Sequence, residues 1–236
     1  MNSKQHPSWH PHGLALKVYI EGNAKAAINI HMDDGSITKM PIGIYFRTLA
    51  EFPEIETIAV DLCKGKVLDV GAGAGAHCLA LQDKGFEVAG LDISEEGCNI
   101  MSARGVKKVH HNNFLNYNCE HNYDTLLFLM NGIGVAGNLI GLENYLHHAH
   151  LITSDDGQII LDSSDLRNGE TELDFSNEYF GIIDYQLSFD GIKGEPYQWL
   201  YIDQELLIEI SAKCRWSAEI IYEQEDGSYL AKLLKM

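Results

Sequence analysis

Basic side chains are scarce in this chain: 17 lysines and arginines face 34 aspartates and glutamates, for a formal charge of −17. Such an excess repels phosphate backbones and anionic bilayers, which argues against nonspecific nucleic-acid or membrane-surface binding. Paired cysteines are missing too. The five present, Cys63, Cys78, Cys98, Cys119 and Cys214, are widely spaced and form no C-x-x-C pair, so neither a disulfide framework nor a zinc site is signalled. The N-terminus has no apolar signal core. The uncharged run Thr125–Leu142 holds two asparagines and four glycines, and reads as strand, loop and helix start rather than a membrane span. A reduced, cytoplasmic protein with no membrane segment is the expectation. Its 236 residues, 45% of them hydrophobic, can bury the core of one larger domain.

Glycine, by contrast, is concentrated in one place. VLDVGAGAGAHCLAL, from Val67 to Leu81, runs strand-forming residues into a loop bearing Gly71, Gly73 and Gly75, then into a helical pattern. Glycine lets a chain turn sharply and lets a ligand approach the backbone, and a strand feeding a helix presents unpaired N–H groups at the turn. The spacing is ambiguous by itself. Gly71, Gly73 and Ala76 satisfy the dinucleotide pattern G-x-G-x-x-G/A, while Asp69, Gly71, Gly73 and Gly75 satisfy D-x-G-x-G-x-G.

Strand and helix patterns alternate after residue 65. KVLDV is a first strand, Gly85 stops the helix that follows, and FEVAGLD is a second strand ending at Asp92. Ser94 caps a helix through Ala103, and Gly105 precedes a third strand near VKKVHH. TLLFLMN is a fourth strand, LIGLENYLHHAHLI a helix, and a turn at Asp155-Asp156-Gly157 leads into QIILDSS as a fifth. Repeated β-α-β units imply a parallel sheet covered on both faces. The ends differ. INIHMDDGSITKMP reads as a hairpin turning at Asp34-Gly35; QELLIEISAKC reads as a helix before a second hairpin, AEIIYEQEDGSYLAKLLK, turning at Asp226-Gly227. Residues 170–202, rich in Tyr, Phe, Trp and Gly, suit a segment covering a substrate. The expected division is an N-terminal hairpin and helical extension over 1–50, then one domain over 51–236.

VLDVGAGAG, GLDIS, HHNNF, YDTLLFLMNG and GQIILDSSD, in that order, resemble the motifs of class I S-adenosylmethionine-dependent methyltransferases. The resemblance implies a Rossmann-like, doubly wound, mostly parallel α/β sheet with a C-terminal antiparallel hairpin, S-adenosylmethionine as cofactor, and methyl transfer to an acceptor. Charge favours the same family, because a carboxylate at Asp69 would repel a pyrophosphate and complement a sulfonium and an ammonium. Asp92 is placed to accept from ribose hydroxyls, a role shared with nicotinamide enzymes. At the end of strand three the family has an acidic residue beside adenine; here Asn113 stands there, with Asn112 adjacent and Phe114 beside the ring, or the pair forms a simple polar turn. The candidate cofactor-binding set is Asp69, Gly71, Gly73, Gly75, Asp92, Ile93, Asn113, Phe114 and Asn131.

Methyl transfer from a sulfonium needs alignment and desolvation more than a dedicated acid, so no universal catalytic residue is expected. Asp162 and Asp165 are candidates to orient or deprotonate an acceptor, with solvated loop acids the plain alternative; Tyr45 and Arg47 are candidates to close over the cofactor, with helix packing the alternative. His6, His10 and His12 read as a mobile terminus, and His147 and His150 share a helix face without a third ligand, so no metal site is assigned. Gly137 and Gly141 form a G-x-x-x-G that is weak evidence for dimerisation outside a membrane. A small-molecule acceptor is expected rather than nucleic acid. A nicotinamide-dependent oxidoreductase, a catalytically silent S-adenosylmethionine-binding protein and an aminopropyltransferase-like enzyme remain the alternatives.

Overall fold

The computed structural model describes residues 6–119, 122–168 and 179–236. The chain opens with helix α1 (His10–Ile20), the hairpin strands β1 (Ala27–Met32) and β2 (Ile37–Pro41), and helix α2 (Glu54–Leu62). The alternating unit follows: β3 (Lys66–Val70), α3 (Ala76–Asp83), β4 (Glu87–Asp92), α4 (Glu95–Arg104), β5 (Lys108–His111), β6 (Tyr123–Phe128), α5 (Leu139–Ile152) and β7 (Thr153–Ser164). After these come β8 (Ile182–Phe189), β9 (Ile192–Lys193), β10 (Tyr197–Leu200), α6 (Gln204–Lys213), β11 (Trp216–Glu223) and β12 (Ser228–Lys235).

Seven strands form the main sheet in the order β11-β12-β7-β6-β3-β4-β5. β3 to β7 pair in parallel, and β12 and β11 add an antiparallel edge. Adjacent residues of each central strand serve opposite faces, as strand geometry requires. Leu68, Leu126 and Ile159 enter a core with α5 and α6, while Val67, Leu127 and Ile160 enter another with α2 and α3. Burial on both faces explains why these strands read as continuous apolar runs. The chain leaves β3 toward β4 on one side while β6 lies on its other side, so the sheet reverses its winding between β3 and β6. The carboxyl ends of those two strands diverge there and leave a crevice.

Local chemistry sets the helix boundaries. Ser94 Oγ accepts from Gly97 N at 3.1 Å, and Gly105, left-handed at φ 102°, ends α4. Two local expectations fail. Asp155-Asp156-Gly157 is no turn ahead of a strand: β7 starts at Thr153, and its register with β6 jumps from Tyr123–Thr153 to Thr125–Gln158, so these residues form a bulge within it. His10 and His12 belong to α1, not to a mobile terminus; Pro11 sits in its first turn, where a missing N–H costs nothing.

The 170–202 segment is also more ordered than a cover loop. Its residues 170–178 lie outside the described set, but β8 pairs antiparallel with β1, and β10 with β8, giving a second sheet ordered β10-β8-β1-β2 with β9 along β8. This sheet and α1 stand over the open end of the main sheet. A third core cluster joins them to it, bringing Leu16 and Ile28 against Ala74 and Ile100. Among the described residues no helix is long and apolar enough to cross a membrane.

Candidate active site

The crevice between β3 and β6 opens into a cavity of about 500 Å³, floored by the loop after β3. Gly71 and Ala72 donate their N–H groups to the Leu91 carbonyl at 2.9 and 3.1 Å, which ties the loop to β4. Gly73, at φ 55°, donates its N–H to Asp92 Oδ2 at 2.7 Å, and Ser94 N–H donates to Oδ1 at 2.7 Å. The Asp92 carboxylate therefore clamps the glycine loop to the start of α4. Burial pushes its pKa up to about 6 against the pull of those two N–H groups. Each of its oxygens accepts one such bond out of roughly four acceptor sites in all, and the residue lines the cavity.

Gly75 is not among the residues that line the cavity. A Cβ there would stand 2.8 Å from Val106 Cγ2 and 2.9 Å from Met101 Cγ, so this glycine lets α3 start close against α4. Asp69 lines the cavity and is buried: 2% accessible, it accepts the Cys78 thiol hydrogen at 3.2 Å. Burial raises its pKa, opposed by His77 and by the Cys78 bond.

Beneath the loop lies a buried ionic network. His77 Nε2 is 2.8 Å from Glu56 Oε2, and Arg47 Nη2 donates to Glu56 Oε1 at 2.7 Å. Burial resists both charges. The Glu56 hydrogen bond and the Asp69 charge outweigh it at His77, whose pKa is raised; His77 and Arg47 outweigh it at Glu56, whose pKa is lowered. Glu56 then adds stability above its unfolded pKa that is lost as pH falls through its lowered folded value. His77 adds stability below its unfolded pKa that is lost as pH rises through its raised one. Glu56→Gln should lower stability by about 3 kcal/mol, since it strands a buried charge, and His77→Gln should flatten the alkaline limb of Tm against pH. Thermal melts across pH check both; an unchanged alkaline limb in the His77 variant would show that the ring is neutral.

Ile93, Asn113, Phe114 and Asn131 all reach the cavity, as does Asn112. Asn113 Oδ1 accepts from Leu115 N–H at 2.9 Å, so it caps the 3-10 turn Phe114–Asn116. The Phe114 ring stacks on Tyr145 at 4.8 Å and meets Phe128 edge-on at 5.4 Å. Asn131 is left-handed at φ 56°; its N–H donates to Asp162 Oδ1 at 2.8 Å, and its own Oδ1 is buried without a partner.

The remaining candidates separate. Asp162 does not line the cavity; it braces the loop after β6 through Asn131 and Gly132, and burial pushes its pKa up to about 7. Asp165 pairs with Arg167 at 2.8 Å, away from the crevice. Tyr45 lines the cavity while Arg47 belongs to the network below. His147 and His150 both approach Cys214, at 3.8 Å to its sulfur and 2.8 Å to its carbonyl, and so pack α5 against the end of α6. Gly141 faces the Ala136 carbonyl within its own turn, a local contact.

Sequence reasoning read residues 170–202 as a substrate cover but named none of the residues of the upper wall. Trp9, His12, Tyr185, Tyr197, Trp199 and Tyr201 line the cavity opposite the glycine loop. Tyr197, Trp199 and Tyr201 alternate along β10 and its exit, so period-two spacing puts them on one face, and that was the available signal.

A parallel sheet with a glycine cradle at its switch point, an acid at the end of the next strand and an antiparallel tail defines an α/β enzyme of Rossmann-like type. Residues 45–186 match a family profile described as a methyltransferase domain. A solved structure from Bacteroides fragilis, an S-adenosylmethionine-dependent methyltransferase in complex with S-adenosyl-L-homocysteine, is 34% identical with a TM-score of 0.89, the match covering 100% of this chain and 99% of that one. The CcbJ methyltransferase from Streptomyces caelestis shares the fold at 13% identity and a TM-score of 0.62, over 79% of this chain and 94% of that chain. DesVI of Streptomyces venezuelae does so at 14% and 0.60, over 95% and 98%. No curated protein matches the sequence. The chain belongs to the class I S-adenosylmethionine-dependent methyltransferases: it is an enzyme, and S-adenosylmethionine is its cofactor.

Proposed function

We propose that this enzyme methylates a small-molecule acceptor held between the glycine loop and the aromatic wall. The observation that carries this reading is the cavity itself: about 500 Å³, with the loop after β3 at one end and the second sheet and α1 closing the other. That volume suits a cofactor's reactive end with a small partner. The acidic charge of the chain also disfavours nucleic acid.

The residues present fit the cofactor. Asn131 Oδ1 is a buried acceptor without a partner at the cavity, and each Asp92 oxygen there accepts one bond out of roughly four acceptor sites in all. In the proposed assignment Asp92 and Ile93 hold the ribose, Asn113 and Phe114 border the adenine, and Asp69, Gly71, Gly73 and Asn131 surround the methionine portion. S-adenosylmethionine, when bound, supplies an electrophilic methyl group on a sulfonium centre. The chain supplies alignment, and its aromatic wall excludes water from the acceptor.

S-adenosylmethionine and S-adenosylhomocysteine should both raise the Tm, by about 2.7 kcal/mol of stabilisation at a hundredfold excess over Kd, and NADH should not. Methyl transfer to a metabolite panel separates turnover from silent binding; tight NADH binding without a response to either sulfur compound overturns the reading. Asp69→Asn removes the charge while keeping the shape, and a thermal melt beside it reports what the change costs the Cys78 bond and the His77 network. The substitution should weaken S-adenosylmethionine binding by about threefold to tenfold and S-adenosylhomocysteine binding less, because the product has lost its sulfonium charge. Equal dissociation constants before and after the substitution would make Asp69 a structural strand-end residue.

A further inference from the structure

The acceptor end of the cavity has aromatic faces and neutral hydroxyls. Among the described residues no lysine or arginine lines the cavity; the carboxylates that do are Asp69 and Asp92, and the lining His77 is held by Glu56. Opposite them the rings meet edge to face, Tyr185 with Tyr197 at 6.1 Å and Tyr197 with Trp199 at 6.2 Å. The Tyr185 and Tyr201 hydroxyls bond each other at 2.8 Å. Burial raises the pKa of Tyr45, Tyr185, Tyr197 and Tyr201 alike, so none of them offers a phenolate. His12, edge-on to Tyr45 at 4.5 Å, has an Nε2 that is buried and without a partner. Burial pushes its pKa down to about 4, which leaves the ring neutral and able to accept a hydrogen.

A chamber of this kind disfavours anionic acceptors, whereas a neutral one finds ring faces and the tyrosine hydroxyls. Ring faces attract a positive centre, and do so most strongly where water is excluded. Resting on the methyltransferase reading above, we propose that the acceptor is a hydrophobic amine, seated against Tyr185, Tyr197, Trp199 and Tyr201 and methylated on nitrogen. The amine's lone pair forms the N–C bond as the C–S bond breaks, and that bond's electron pair stays on sulfur. The positive charge so passes from sulfur to nitrogen, and any N–H proton is lost to bulk water once the product leaves. The walls hold the nitrogen as its charge develops, which favours the transition state over the neutral ground state.

The sulfonium could occupy the same faces, so the test is made with the full-length protein saturated with S-adenosylhomocysteine, which carries no sulfonium. Phenyltrimethylammonium, its neutral isostere tert-butylbenzene and the anion phenylacetate are titrated separately, read by tryptophan fluorescence. The cation should bind at least about tenfold tighter than tert-butylbenzene, which corresponds to about 1.4 kcal/mol, and phenylacetate most weakly. Trp199→Leu, and independently Tyr197→Leu, should each erase most of that preference while S-adenosylhomocysteine still binds, which also shows that the variants fold. Equal affinity for the cation and the isostere, or preference for phenylacetate, overturns the amine assignment and leaves the methyltransferase reading standing. Failure of the wild-type protein to bind S-adenosylhomocysteine overturns both.

Discussion

Gly73→Val should abolish measurable S-adenosylmethionine binding, a loss of at least about a hundredfold, in a protein that still folds. Gly73 sits at φ 55°, where a β-branched residue is strained by about 1–2 kcal/mol, and a Cβ there would lie 3.4 Å from Tyr45 Cδ1. The chain can relieve that strain only by moving the loop, and the loop is held by the Gly73 N–H to Asp92 bond at 2.7 Å. Either the side chain projects toward the cavity or the Asp92 clamp opens; both damage the cradle. Gly75→Ala gives the contrast. Its new Cβ meets Met101 and Val106 away from the cavity, so it should lower Tm more than it changes affinity. Calorimetric titration beside thermal melts separates the two, and a Gly73→Val affinity within threefold of wild type would show that the ligand does not approach this backbone.

The difference between those glycines marks how far the sequence could be read. The strand-loop-helix order, the Ser94 cap and the span of α5 were legible because each is a local matter of period or capping, settled within a few residues. Gly71, Gly73 and Gly75 looked equivalent because spacing does not reveal which glycine faces a ligand and which faces a neighbouring helix. The second sheet was hidden for a different reason. Asn29 pairs with Ser188 across the length of the domain, β10 is four residues long, and neither strand carries a signal of its partner. His12 could not be told from His6 and His10 until α1 turned it into the cavity. Asp69 was legible as a strand-end acid, but its burial beside Cys78 depends on α3 packing over it.

Asp92→Ala should carry the other large effect, and its cost divides between fold and ligand. From sequence the residue reads as a partner for ribose or as a turn residue pairing with nearby N–H groups; in the structure its carboxylate accepts from Gly73 and Ser94, at 2.7 Å each. Hydrogen bonds to a charged group contribute about 1.5–3 kcal/mol apiece, so the alanine variant should lose several-fold more stability than a surface substitution and melt at a clearly lower temperature. On the proposed ribose assignment it loses two further bonds, and Kd should rise at least about a hundredfold. Asp92→Asn is no conservative control, because an amide NH₂ must face one of two backbone N–H donors. The pH profile separates the ligand contribution from the fold. With its pKa pushed up to about 6, Asp92 of the free enzyme gains a proton as pH falls through that value, and a protonated carboxyl offers ribose hydroxyls fewer acceptors. Wild-type affinity should therefore decline below about pH 6, and the alanine variant should lack that decline across the range in which it stays folded. Titration calorimetry from about pH 5 to about pH 8 measures both curves. Parallel profiles, or a Kd unchanged by the substitution, would place the ribose elsewhere and leave Asp92 as the tie between the glycine loop and α4.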